Sequence, residues 1–221
     1  ISEIPDNAMN ISEPVQGGWW VNYLNTGGDG YDYSMKPLSQ LTNNPYSFEA
    51  VLRNAGIAPQ NSFLTAEVTD ANGTVLFNDI SNSLLLDVNY PQDTFAVNNT
   101  FTPNGTGNYT VNMWGTGDST STPMVSLDMT VTDNIYARDL NVPDGAWRVG
   151  RSCGGQVLGL KYDMYADETL YGLQVHIDDQ SIPNTPVYVV LYEDNPSGDP
   201  VYLTQSDDYY LTSADLGNWI T

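Results

Sequence analysis

The sequence predicts an all-β fold built as two tandem β-sandwiches, and three features carry that prediction. Apolar residues alternate with polar ones along run after run, which is the period of a strand with one covered face. Apolar residues spaced at the helical period are scarce throughout. Clusters of Asn, Asp, Gly and Pro separate the alternating runs, as short antiparallel strands require.

The first 34 residues alternate little and hold Gly17-Gly18-Trp19-Trp20 and Gly27-Gly28-Asp29-Gly30. They read as a linking N-terminal segment or as the last strand and loops of a preceding domain, and the second is preferred because two tryptophans in a free linker would leave a large apolar surface in water. Residues 35–140 carry the clearest alternation: Phe48, Ala50 and Leu52; Leu64, Ala66 and Val68; Leu84, Leu86 and Val88; Tyr109, Val111 and Met113; then Val125, Leu127, Met129 and Val131. Asp70-Ala71-Asn72-Gly73 is placed to turn one strand into the next, since Asn-Gly accepts the positive φ of a tight hairpin. Asn54-Ala55-Gly56 and Pro103-Asn104-Gly105 punctuate in the same way. Six or seven such strands predict an immunoglobulin-like sandwich.

Asn141-Val142-Pro143-Asp144-Gly145 reads as a linker into a second block, residues 141–221. Its apolar runs are Leu158, Leu160, Tyr162 and Met164; Leu173, Val175 and Ile177; Val187, Val189 and Leu191; and then 201–204 and 209–212. The run from Val187 to Tyr192 is apolar on both faces and predicts a central strand covered on both sides. The block is expected to be a second sandwich, jelly-roll-like or incomplete. Residues 215–221 read as a strand beginning, and Ile1 is no initiator methionine, so the chain is expected to be part of a longer polypeptide.

Composition narrows the function. Six basic against 27 acidic residues give a net charge of −21, which repels phosphate backbones and anionic membranes and argues against nucleic acid as a partner. Disorder is the competing reading of so acidic a chain, but 40% hydrophobic and 11% aromatic content can build a packed core. No apolar run reaches the length of a membrane span, so no membrane insertion is expected. The single cysteine, Cys153, allows no internal disulfide framework. Together with the Asn-, Thr- and Tyr-rich surface, this points to a secreted bacterial protein, extracellular or on the cell surface. Asn10, Asn72, Asn98, Asn104 and Asn108 stand in sequons, which chance supplies in a chain so rich in Asn and Thr.

No catalytic constellation stands out. The one histidine, His176, is out of phase with Leu173, Val175 and Ile177 and reads as a surface or half-buried strand residue. Cys153, in Arg151-Ser152-Cys153-Gly154-Gly155, has no histidine beside it to activate a thiolate. One His and one Cys cannot close a zinc site, whereas oxygen donors for calcium crowd several loops. Those loops hold Asp178 and Asp179; Glu193, Asp194, Asn195 and Asp199; and Asp207 and Asp208. The preferred calcium candidate is the glycine-rich loop with Asp29 and Asp32. Trp19, Trp20, Trp114, Tyr209 and Tyr210 could stack on sugar rings, although filling cores and junctions is the commoner use of aromatics.

The segments Tyr33-Ser34-Met35-Lys36-Pro37-Leu38-Ser39-Gln40-Leu41 and Phe48-Glu49-Ala50-Val51-Leu52-Arg53-Asn54-Ala55-Gly56 resemble the immunoglobulin-like modules of large secreted Bacteroidetes proteins. Asn99-Thr100-Phe101-Thr102-Pro103 and Gly107-Asn108-Tyr109-Thr110-Val111 continue the pattern, and Ile135-Tyr136-Ala137-Arg138-Asp139 looks like the hinge that follows. Tyr165-Ala166-Asp167-Glu168-Thr169-Leu170-Tyr171-Gly172-Leu173 is similar to the next β domain of such proteins. The resemblance implies a multidomain cargo of the type IX secretion system, displayed on or released from the cell surface. It also matches Asp118-Ser119-Thr120 to the short O-glycosylation pattern of these bacteria.

The reading that follows is a non-catalytic structural and adhesive segment whose partners are other domains of the same polypeptide and surface glycans or proteins. The alternatives are a carbohydrate-binding accessory module of a secreted hydrolase and a subunit of an extracellular filament.

Overall fold

A computed structural model describes residues 4–16, 19–20, 33–139 and 158–221. One unit comprises Ile1–Leu140 with Tyr162–Asp167, and the other comprises Asn141–Lys161 with Glu168–Thr221. The linker expected at 141–145 lies outside the described residues.

The first unit opens with β1 (Met9–Gln16), β2 (Trp19–Trp20) and β3 (Met35–Pro37), then a four-residue helix, α1 (Leu38–Leu41). Seven strands follow: β4 (Phe48–Asn54), β5 (Gln60–Asp70), β6 (Val75–Ile80), β7 (Leu84–Leu86), β8 (Gln92–Ala96), β9 (Gly107–Thr116) and β10 (Val125–Thr132). They form one sheet in the order β2-β1-β4-β8 and another in the order β3-β10-β9-β5-β6, with β7 on β5. Among the described strands β3 alone runs parallel to its neighbour, β10, and its Pro37 sits on the sheet edge, where a missing N–H costs no ladder bond.

Alternation decides which side chains meet between the sheets. Phe48, Ala50 and Leu52 point inward from β4, and Leu64, Ala66 and Val68 from β5. Tyr109, Val111 and Met113 enter from β9, and Met129 and Val131 from β10. Burying each large side chain contributes about 1.5–3 kcal/mol, so these interdigitating rows dominate the unit's stability. At Gly115 on β9 a Cβ would lie 2.5 Å from Leu52 of the facing sheet, so the absence of a side chain permits that approach. The third predicted run is only partly covered: Leu86 is buried, while Leu84 and Val88 are exposed.

Two local devices fix the connections. The β5–β6 hairpin turns through Gly73 at φ +79°, with the Asp70 carboxylate accepting the backbone N–H groups of Asn72 and Thr74. Before β9, the Tyr109 hydroxyl donates to the carbonyl of Gly105 at 2.7 Å. This is the tyrosine-corner arrangement of immunoglobulin-like sandwiches, which pins a loop to the strand that follows it.

The boundaries differ from the sequence expectation in two places. β1 pairs along β4 from Met9↔Asn54 to Gln16↔Phe48, and β2 pairs with β1, so these strands belong to the first sandwich and not to a preceding region. The alternation of β1 is interrupted by a bulge between Ser12 and Val15, which hides its period. The run around Tyr162 and Met164 forms no strand, and residues 162–167 join the first unit instead. The buried Gln40 holds them: its Oε1 accepts the N–H groups of Tyr165 (2.7 Å) and Ala166 (3.1 Å), and its Nε2 donates to the Ala166 carbonyl. Tyr33, Tyr136 and Tyr162 pack ring to ring beside them, with the Arg138 guanidinium 4.5 Å from the centre of the Tyr33 ring. Burial pushes the Tyr162 hydroxyl above its ordinary pKa, against the opposing pull of Arg138.

The second unit contributes β11 (Val175–His176), β12 (Pro186–Val187), β13 (Val190–Glu193), β14 (Val201–Gln205), β15 (Tyr209–Tyr210) and β16 (Trp219–Ile220). Among the described residues they pair as β11–β16, β12–β15 and β13–β14. The predicted central strand is thus divided. Its first part pairs with β15 and its second with β14, and between them Val189 exchanges hydrogen bonds with Ser206. Neither face is fully covered, since the adjacent Leu191 and Tyr192, which point to opposite faces, are 37% and 51% exposed. The all-β class holds for both units, while the second shows short two-stranded ladders and no closed sandwich among its described residues.

Candidate functional site

The second unit concentrates exposed aromatic and aliphatic side chains on its ladders. Tyr192 and Tyr202 face each other across β13 and β14, their rings edge to face with centroids 6.0 Å apart and each about half exposed. The register that brings them together passes through a bulge between Leu191 and Tyr192. On the neighbouring ladder Val187 stands opposite Tyr209 and Pro186 opposite Tyr210, with both tyrosines exposed.

Tyr209 is oriented. Its hydroxyl donates to Asp215 Oδ2 at 2.9 Å, an oxygen that also accepts the Thr212 N–H and hydroxyl. The Thr212 N–H leads the effects that hold the Asp215 carboxyl below its ordinary pKa, and the bond to Asp215 in turn raises the Tyr209 hydroxyl. Tyr188, Leu203 and Val201 extend the exposed apolar set. Such a surface offers ring faces and hydroxyls, which suit stacking and apolar contact.

His176 is half-buried on β11, with its ring edge-on to Trp219 at 5.4 Å, so it serves packing. Cys153 lies outside the described residues, as do Asp29 and Asp32, the preferred calcium ligands. The other acidic loops organise turns. Asp178 accepts the Gln180 N–H, Asn195 bonds Ser197 and Asp199, and Asp194 pairs with Lys161 at 2.9 Å on the surface. That lysine holds the Asp194 carboxyl below its ordinary pKa. Among the described residues no three His, Cys, Asp or Glu side chains converge as a metal group.

Of the aromatic candidates read from sequence, Tyr209 and Tyr210 are exposed and Trp114 is half-buried on β9. Trp19 and Trp20 form β2, and the structure describes only their backbone. Sequence reading missed the Tyr192–Tyr202 pair. Both residues were visible in apolar runs, but their juxtaposition depends on a register that the bulge sets. The first unit has a shallow groove of about 260 Å³ lined by residues 81–84 and 94–96. None of those side chains is ionisable, so the groove carries no acid–base pair.

No family model matches the chain, and no curated protein matches it. Among solved structures it is similar to a CARDB domain from Pyrococcus furiosus in complex with di-metal ions, at 14% identity and a TM-score of 0.34. That match covers 59% of this chain and 95% of the other. A Pseudomonas fluorescens alkylpurine DNA glycosylase bound to DNA with an abasic site analog matches at 11% identity and a TM-score of 0.34, covering 56% of this chain and 30% of that one.

Proposed function

We propose that this chain is a non-catalytic structural and adhesive segment of a secreted bacterial surface protein. The first sandwich serves as the stable spacer and the second unit as the contacting surface. One observation carries the reading: seventeen hydrophobic residues form the buried core of the first unit, whereas Ile177 and Leu211 are the buried hydrophobics described in the second. Exposed apolar surface of that extent is costly to leave in water and is characteristic of interaction sites. The net charge of −21 keeps such a segment soluble and separate from its neighbours. Neighbouring domains of the same polypeptide and surface glycans or proteins are the partners of this reading.

The Tyr192–Tyr202 pair favours a second reading, a carbohydrate-binding module, because exposed rings stack on sugar faces. Retention of the chain on phenyl-derivatised beads and on insoluble polysaccharides separates the two. The adhesive reading expects retention on the phenyl beads that falls with Tyr192→Ala and Tyr202→Ala. Binding confined to one polysaccharide and released by its soluble oligosaccharide would transfer the site to the second reading. Release of reducing sugar from any polysaccharide would overturn the non-catalytic assignment.

A further inference from the structure

The sequence contains two Asn-Gly pairs, Asn72-Gly73 and Asn104-Gly105, and the fold treats them oppositely. An Asn-Gly pair is chemically vulnerable. The glycine's backbone nitrogen, once it loses its proton, attacks the asparagine Cγ; a C–N bond forms, the side-chain amide leaves as ammonia, and a cyclic succinimide remains. Water then opens the ring at either carbonyl, giving aspartate or isoaspartate. Glycine favours this because no Cβ obstructs the approach.

At Asn72-Gly73 both reacting groups are engaged. The Gly73 N–H donates to the Asp70 carbonyl at 2.9 Å, and the Asn72 Nδ2 donates to Asp70 Oδ2 at 3.4 Å. The Asp70 carboxylate, bonded to the N–H groups of Asn72 and Thr74, also opposes a developing negative charge on the adjacent amide nitrogen. At Asn104-Gly105 none of this holds. Asn104 is exposed in a bent stretch of backbone, and no described residue bonds its side chain or the Gly105 N–H. A Cβ at Gly105 would meet nothing within 4 Å, so the glycine stands in open space.

We infer that Asn104 is a built-in deamidation site, converting through a Gly105 succinimide while Asn72 is protected by its turn. The location gives the conversion a structural consequence. The Gly105 carbonyl is the acceptor of the Tyr109 hydroxyl, so an isoaspartate would insert an extra backbone carbon, and either product a negative charge, beside the tyrosine corner.

Timed incubation of the native chain in mildly alkaline buffer, with peptide mapping of the amide-to-acid mass gain and separation of aspartate from isoaspartate, tests this. Loss of the hydrogen bonds that restrain Asn72 corresponds to about a tenfold rate difference, so native Asn104 should convert about tenfold faster. In denaturant the two pairs should convert at similar rates. Gly105→Ala, which the open space accommodates, should slow Asn104 and leave Asn72 unchanged. The inference is overturned if Asn72 keeps pace with Asn104 in the native chain, or if Asn104 persists natively while the denatured control converts.

Discussion

Met113 on β9 and Leu203 on β14 both sit in strands of β-prone residues, yet Met113 is fully buried and Leu203 is 51% exposed. The difference lies in what faces them. β9 has neighbours on both sides, β10 and β5, and a second sheet across the core, whereas among the described residues β14 pairs with β13 alone. Layering, more than strand propensity, separates the two sites. A two-stranded ladder without a covering layer is marginal by itself; the first unit is stabilised from within, while the described ladders of the second leave their apolar side chains exposed.

Core truncation should break this comparison most visibly. Leu52→Ala or Met113→Ala, each at a fully buried site, should cost about 2–5 kcal/mol by denaturant unfolding. Leu203→Ala should stay within about 0.5 kcal/mol, as an exposed substitution does. A large effect at Leu203 would mean that the second unit has a core of its own. Next comes Gly115→Ala, whose methyl would press on Leu52; strain in a filled core should cost about 1–3 kcal/mol in the same measurement. Tyr109→Phe sharpens the comparison further. It removes the hydroxyl bond to Gly105 while keeping the ring, and should lower stability by about 1 kcal/mol.

The smallest effect concerns acid. The Thr74 N–H leads the effects that hold Asp70 below the ordinary carboxylate range. Burial alone would raise Asp79, but the backbone N–H groups of Ile80, Asn99 and Asn98 outweigh it. Groups with depressed native pKa values contribute stability that is fully present above about pH 3.9 and is lost as pH falls through the native values. Asp70→Asn and Asp79→Asn should therefore flatten a shallow decline of the unfolding midpoint below that pH.

Most of the first sandwich was legible because its rows at Phe48–Leu52, Leu64–Val68 and Tyr109–Met113 each bury one face and expose the other. The Asn72-Gly73 hairpin was legible from turn chemistry alone. β1 was not, since a bulge interrupts its alternation, nor was the docking of 162–167, which a single amide at Gln40 organises through backbone contacts that leave no periodic signature. In the second block the apolar runs after Leu173 hold strands and the run at 158–164 does not, because alternation cannot tell whether a partner strand or a covering layer exists. Val187–Tyr192 for that reason reads as a covered central strand and is instead shared between two ladders. The tyrosine surface was half legible: Tyr209 and Tyr210 stood out, while Tyr192 and Tyr202 required the register.

Amide hydrogen exchange across the intact chain, resolved by strand, tests the central claim most directly. Amides in β4, β5 and β9 should exchange only through global unfolding, while those of β13, β14 and β15 should exchange by local opening at far lower free energy. Equal protection of the two sets would contradict the division of the molecule into a self-stabilised sandwich and an outward-facing contact unit.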